Sequence, residues 1–268
     1  MKCWLIFFVL IFSQLGLTQN DPQWRLDHFY KSTDINAWDV DPMGKVILAE
    51  RDVLVKLDTS FVPLFTQSTK QIGEIAFLDA AHSLKTLVFS EMQQYISFVD
   101  NTMTFQEGIK DLTTYGIAYA TNVCYSNQTN RFWVFDGDNA QLLLIDQTGG
   151  QISKINNLSS ITGGVQPKVI LERNNELLVF YEGVGVFFFD YYGSLISQYE
   201  SMDTKAVHFN REYLYLVNDR EIKKINRKTN QHQIYKLPDI DILEVRVLGE
   251  VLFIQTPEGI KKYILITD

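Results

Sequence analysis

One phrase recurs down this chain: an apolar run that ends in Asp or Asn and breaks at once into a turn. It reads LVKLDTS (54–60), ISFVDNT (96–102), LLLIDQTGG (142–150), FFFDYYGS (187–194) and IKKINRKT (222–229). The closing residues Asp58, Asp100, Asp146, Asp190 and Asn226 lie 42, 46, 44 and 36 residues apart. A period of about forty residues that holds several short strands is the mark of a β-propeller. Such a fold constrains shape far more than chemistry.

Each period divides into four strands, here A to D. The first blade reads INAWDV (35–40), KVILAE (45–50), VLVKLD (53–58) and FVPLFT (61–66), with a DPMG turn (41–44) after the first strand. Pro fixes φ there and Gly frees it. Four more blades follow, ending at residues 109, 156, 200 and 237. The sixth supplies only LEVRVL (243–248), EVLFIQ (250–255) and IKKYILI (260–266).

An unmatched apolar segment, WRLDHFY (24–30), precedes the first blade. Paired with the last strand, it completes the sixth blade and joins the two ends of the ring, which removes exposed edges. A solvated arm is the alternative, at the cost of leaving Trp24, Phe29 and Tyr30 in water. The expected fold is therefore all-β: a six-bladed β-propeller with the N-terminal strand completing the last blade. Runs such as FWVF, LLVFY and VFFF suit strands buried on both faces. A two-sheet sandwich is the runner-up, but it does not account for the regular Asp-turn spacing.

Residues 1–18 read as a secretory signal peptide. Lys2 gives the positive start, Trp4 to Phe12 the apolar segment, and Gly16 and Thr18 the small residues before a cut after Thr18. The apolar run is shorter than the roughly 20 residues a membrane-spanning helix needs. Cys3 precedes that run, whereas a lipid-bearing cysteine would follow it. Residues 19–268 are then one domain, not membrane-spanning after cleavage, with Cys124 as the sole cysteine and no internal disulfide. Its apolar surroundings make Cys124 a small buried hydrophobe.

A net charge of −8 without a basic stripe argues against nucleic-acid partners. The one basic cluster, Lys223, Lys224, Arg227 and Lys228, falls on a hairpin and reads as a solvated edge. The four histidines, His28, His82, His208 and His232, show no metal-binding spacing, and no nucleophile elbow or phosphate loop is present. No cofactor is expected.

Acids follow the B strands regularly: Glu50, Asp52, Glu91, Asp136, Asp138, Glu182, Asp219 and Glu258. In a propeller these turns share one face, so they are the candidate partner-binding residues, an acidic rim for a basic partner or a cation. Turn preference and solubility account for the same residues. The repeated Asp58, Asp100, Asp146 and Asp190 fall on the opposite face and read as caps on local N–H groups. Inner-strand positions Asn36, Glu74, Asn122, Lys168, His208 and Glu244 make a poor calcium cage. A calcium-dependent lactonase or esterase with a site in the central channel is the alternative function. Glycan binding through exposed aromatics is a third.

The segments SLKTLVFSEMQQYISFVDNTM (83–103), TNRFWVFDGDNAQLLLIDQTGG (129–150) and LERNNELLVFYEGVGVFFFDYYGSLI (171–196) resemble a propeller-like family of exported proteins in Bacteroidota. There is no WD dipeptide at the strand ends, no kelch double glycine ahead of the blades' second strands, and no Asp-box. The resemblance implies a periplasmic, non-enzymatic interaction module. Its implied partner is an outer-membrane complex, with a member of similar type as the plug at the periplasmic mouth of the type IX secretion translocon.

Overall fold

The computed structural model describes residues 23–82 and 84–266, so the expected signal peptide lies outside the described residues. Strand β1 (Gln23–Lys31) comes first. Blade 1 is β2 (Ile35–Val40), β3 (Val46–Glu50), β4 (Val53–Leu57) and β5 (Pro63–Ser68). Blade 2 is β6 (Phe77–His82), β7 (Lys85–Ser90), β8 (Tyr95–Asp100) and β9 (Phe105–Asp111). Blade 3 is β10 (Ala120–Tyr125), β11 (Arg131–Asp136), β12 (Gln141–Asp146) and β13 (Gln151–Ile155).

A single helical turn, α1 (Leu158–Thr162), leads to blade 4: β14 (Val169–Arg173), β15 (Glu176–Tyr181), β16 (Gly185–Asp190) and β17 (Leu195–Glu200). Blade 5 is β18 (Ala206–Phe209), β19 (Tyr213–Val217), β20 (Glu221–Asn226) and β21 (His232–Lys236). Blade 6 is β22 (Glu244–Leu248), β23 (Val251–Thr256) and β24 (Gly259–Ile266), completed by β1. The expected six-bladed propeller is the observed fold. Among the described residues no helix is long and apolar enough to cross a membrane.

Closure runs as the residues require. β1 pairs antiparallel with β24, Trp24 opposite Leu265 and Tyr30 opposite Ile260, with a bulge at Asp27 that shifts the register. The Trp24 indole donates to the Lys236 carbonyl of blade 5 at 3.0 Å. Asp27 accepts from Lys262 at 2.7 Å. A chain end with these anchors is no solvated arm.

The core consists of layers between blades. In β11, Phe132 and Val134 pack toward blade 2, while Trp133 and Phe135 pack toward blade 4. In β15, Leu177, Val179 and Tyr181 face blade 3, and Leu178 and Phe180 face blade 5. Both faces of each middle strand are buried, so polar alternation vanishes from the sequence. Cys124 lies fully buried in one such layer, and burial pushes its thiol well above the ordinary range, as a packed hydrophobe requires.

The recurring Asp is a turn device. Asp58 Oδ1 accepts from the amides of Ser60 and Val62, both at 2.8 Å. Asp100 holds Thr102 and Thr104, and Asp146 holds Thr148 and Gly150, in the same way. The residue three after each Asp has a left-handed backbone: Phe61, Met103, Gly149 and Gly193. The C–D register slips beside this turn in blades 1, 3 and 4, and further along the strand, between Ile96 and Phe98, in blade 2. This is a tight turn ending in a bulge, the arrangement that lets a three-residue loop follow the twist of a hairpin. Non-glycine residues bear that φ where their side chains are buried, as Phe61 and Met103 are.

Candidate functional site

Antiparallel blades place the B–C turns and the links between blades on one face of the disc. The A–B and C–D turns lie on the other. The candidate acids occupy the first face, but their environments differ. Glu50 accepts from the Tyr30 hydroxyl at 3.2 Å, and burial together with this carboxylate pushes the Tyr30 phenol up to about 12. Glu91 accepts from Tyr119 at 3.2 Å. Asp52 faces Lys70 at 3.7 Å, Glu182 faces Lys168 at 2.8 Å and Asp219 faces Lys205 at 2.7 Å. Asp138 and Glu258 are exposed. The rim is thus an alternation of signs, since three acids have a lysine of their own blade beside them.

Asp136 does not belong to the rim. It is fully buried, and its carboxylate turns inward to accept from Asn139 at 2.7 Å, Gln141 at 2.9 Å and the Tyr119 amide at 3.3 Å. Burial opposes its charge, yet the hydrogen bonds from Asn139 and Gln141 hold the carboxyl below its ordinary range. It braces the B–C turn of blade 3. Arg227 departs from expectation in the same sense. The turn does not solvate it: its guanidinium lies over the Phe188 ring at 4.3 Å and pairs with Glu176 of blade 4.

The convergence of charge lies at the axis, on residues whose inward direction is not readable from the chain. Asp39 on β2 accepts from the Ala80 amide of blade 2 at 2.8 Å and from Arg246 Nε of blade 6 at 2.9 Å. Asp79 on β6 accepts from the Tyr125 amide of blade 3 at 2.9 Å, and from Arg173 of blade 4 at 3.3 Å. Glu172 on β14 accepts from the Asn127 amide at 3.0 Å and from the Trp133 indole at 2.6 Å, both in blade 3. Each acid of one inner strand satisfies N–H groups of another blade. The ring is stitched across its centre.

Of the inner positions singled out in the sequence, Asn36 and Glu74 bond to each other at 3.3 Å, and Asn122 bonds to the Lys168 carbonyl at 3.2 Å. Glu244 pairs with Arg246 at 3.2 Å. His208 alone of that set lines the cavity at the axis, together with Asp39, Arg173 and Arg246. Burial, with the two guanidinium groups beside it, pulls its imidazole down to about 3, so it is neutral at neutral pH. Its Nδ1 is buried and makes no hydrogen bond among the described residues. The cavity has a volume of about 330 Å³ and opens on the A–B face, between the turns that carry Pro42, Asn174 and Gly249.

No family model matches the sequence, and no curated protein matches it. Solved structures do match in shape. Virginiamycin B lyase from Staphylococcus aureus superposes with a TM-score of 0.64 at 10% identity, covering 92% of this chain and 100% of that one. A streptogramin B lyase gives 0.63 at 11% identity, covering 92% and 98%. The WD40 domain of Neurospora crassa Pan2 gives 0.58 at 8% identity, covering 91% and 96%. At these identities the likeness is one of fold.

Proposed function

We propose that this protein is a non-enzymatic interaction module of the bacterial envelope, exported to the periplasm and docked on an outer-membrane secretion complex. One observation carries the non-enzymatic part. At the axis, where ionisable groups converge, Asp39, Asp79 and Glu172 have both carboxylate oxygens occupied by N–H donors. A general base or nucleophile needs a carboxylate oxygen aimed at substrate. These carboxylates are aimed at N–H groups of neighbouring blades and hold the ring together.

The choice of compartment and partner rests on the leader-like start of the chain and on the resemblance to exported Bacteroidota propellers. The alternating charges of the B–C face suit a partner of mixed charge better than a uniformly basic one. A calcium-dependent hydrolase is a poorer fit, because the Arg173 and Arg246 guanidinium groups stand where a cation would have to sit.

Affinity capture of the native protein from cross-linked envelope extracts tests the proposal. An outer-membrane complex should be recovered with it, and recovery only as a free monomer would overturn the reading. Calorimetric titration with calcium, then assays with lactones and esters, tests the hydrolase: heat and turnover there would displace the interaction role.

A further inference from the structure

The axial cavity holds an imbalance that its structural role does not use. The carboxylates at the axis are engaged, because Asp39 and Asp79 each have N–H donors on both oxygens. The cavity's donors are in surplus. A guanidinium carries five N–H groups. Arg173 directs hydrogen bonds only to the Glu172 carbonyl and to Asp79 among the described residues. Arg246 is more fully engaged, with Asp39, Glu244 and the carbonyls of Val245 and Trp38, which leaves it one N–H against three on Arg173. His208 stands between them on the neighbouring strand with its Nδ1 unpartnered.

Val40, Pro42 and Leu248 line the same cavity and give it apolar surface beside the cationic groups. Its volume of about 330 Å³ is larger than an inorganic oxyanion needs, and lies at the small end of organic-ligand pockets. Apolar walls facing a few convergent donors are the usual make-up of such a site.

We infer that the mouth of the axial channel binds a small organic carboxylate, its oxygens taken by the free N–H groups of Arg173 and Arg246 and by His208, its apolar body against Pro42 and Leu248. Guanidinium groups match a carboxylate geometrically, and two on different blades hold it without moving the fold. A neutral His208 suits this role: it offers a hydrogen bond without adding a third charge that the two arginines would repel. This site goes beyond the docking function and stands or falls independently of the envelope partner.

The test uses benzoate and phenylacetate as probes, with benzamide and inorganic phosphate as controls. Each is titrated onto the folded protein at neutral pH, and the four histidine Cε1 resonances are followed by NMR, with H208Q assigning that of His208. Both carboxylates should shift the His208 resonance saturably at millimolar concentration, with benzamide and phosphate leaving it in place. R173K keeps a positive charge opposite Asp79 but loses the fork, and should weaken carboxylate binding about tenfold. The wild-type comparison of benzoate with benzamide needs no variant. Absence of a saturable shift with both carboxylates, an equal response to benzamide, phosphate binding as tight as benzoate, or full affinity in a folded R173K would each overturn the assignment.

Discussion

Arg246 of the last blade donates from Nε to Asp39 Oδ1 of the first at 2.9 Å, and the same carboxylate takes the Ala80 amide of the second blade through its other oxygen. One side chain therefore ties three blades at the axis, while β1 ties the ring at its circumference.

Replacing Asp39 with Ala should strip Arg246 of its Nε partner and leave the buried Ala80 amide without an acceptor. Breaking a buried pair from one side costs on the order of 3–5 kcal/mol. Asp39→Asn keeps an acceptor for the amide and should lose less. Urea unfolding midpoints measure both; a wild-type midpoint for D39A would mean that the axial pair does not hold the ring.

Gly259 begins β24 with φ +141, and a Cβ there would lie 2.0 Å from the Tyr30 carbonyl oxygen of β1. That oxygen is backbone, so β1 must move. Gly259→Ala should cost about 2–4 kcal/mol and act at the closing strand. Hydrogen exchange would show it as loss of protection in β1 that exceeds the loss in blades 2 to 4.

His208 makes stability depend on pH. Its folded value of about 3 lies below the ordinary 6.5, so between these limits the unfolded chain binds a proton that the folded one refuses. Stability is then full above about pH 6.5 and falls as the pH drops toward 3. His208→Gln should remove that part of the slope. Melting temperatures of both proteins across this range decide the point, and parallel curves would rule it out.

Asp146 accepts from the Thr148 hydroxyl and amide and from the Gly150 amide, and the Thr148 bond, followed by the backbone N–H groups, holds its carboxyl below the ordinary 3.8. Asp146→Asn should be tolerated, since Asn226 caps the equivalent turn of blade 5 through the amides of Lys228 and Thr229. Asp146→Ala should speed amide exchange at Thr148 and Gly150 while blades 1 and 5 keep their protection. Unchanged exchange at those two amides would show the turn to be held by its backbone alone.

Most of the architecture was legible in the chain because a propeller is built from local contacts. A hairpin turn with an Asp acceptor and a left-handed residue is a property of five consecutive residues, and it repeats wherever the blade repeats. Burial on both faces leaves its trace in runs such as LLVFY and FWVF. The open place in the sixth blade, and WRLDHFY as its occupant, follow from counting strands. Seven of the eight candidate acids sit at the surface or half-buried on the expected face.

What the tertiary structure alone decided is which side chains meet. Asp136 has the same place in its blade as its rim counterparts, yet turns inward because Asn139 and Gln141 stand ready to donate to it. Arg227 looks solvated in sequence and instead covers Phe188 of the neighbouring blade. Inner strands send side chains to both faces of each blade, and bulges in β2, β6 and β10 shift their phase. Strand twist and the stacking of blades then determine that Asp39, Asp79, Arg173, His208 and Arg246 converge. Turn and period are short-range and are written in neighbouring residues; convergence at an axis joins residues up to 207 positions apart, and it exists only once the ring has closed.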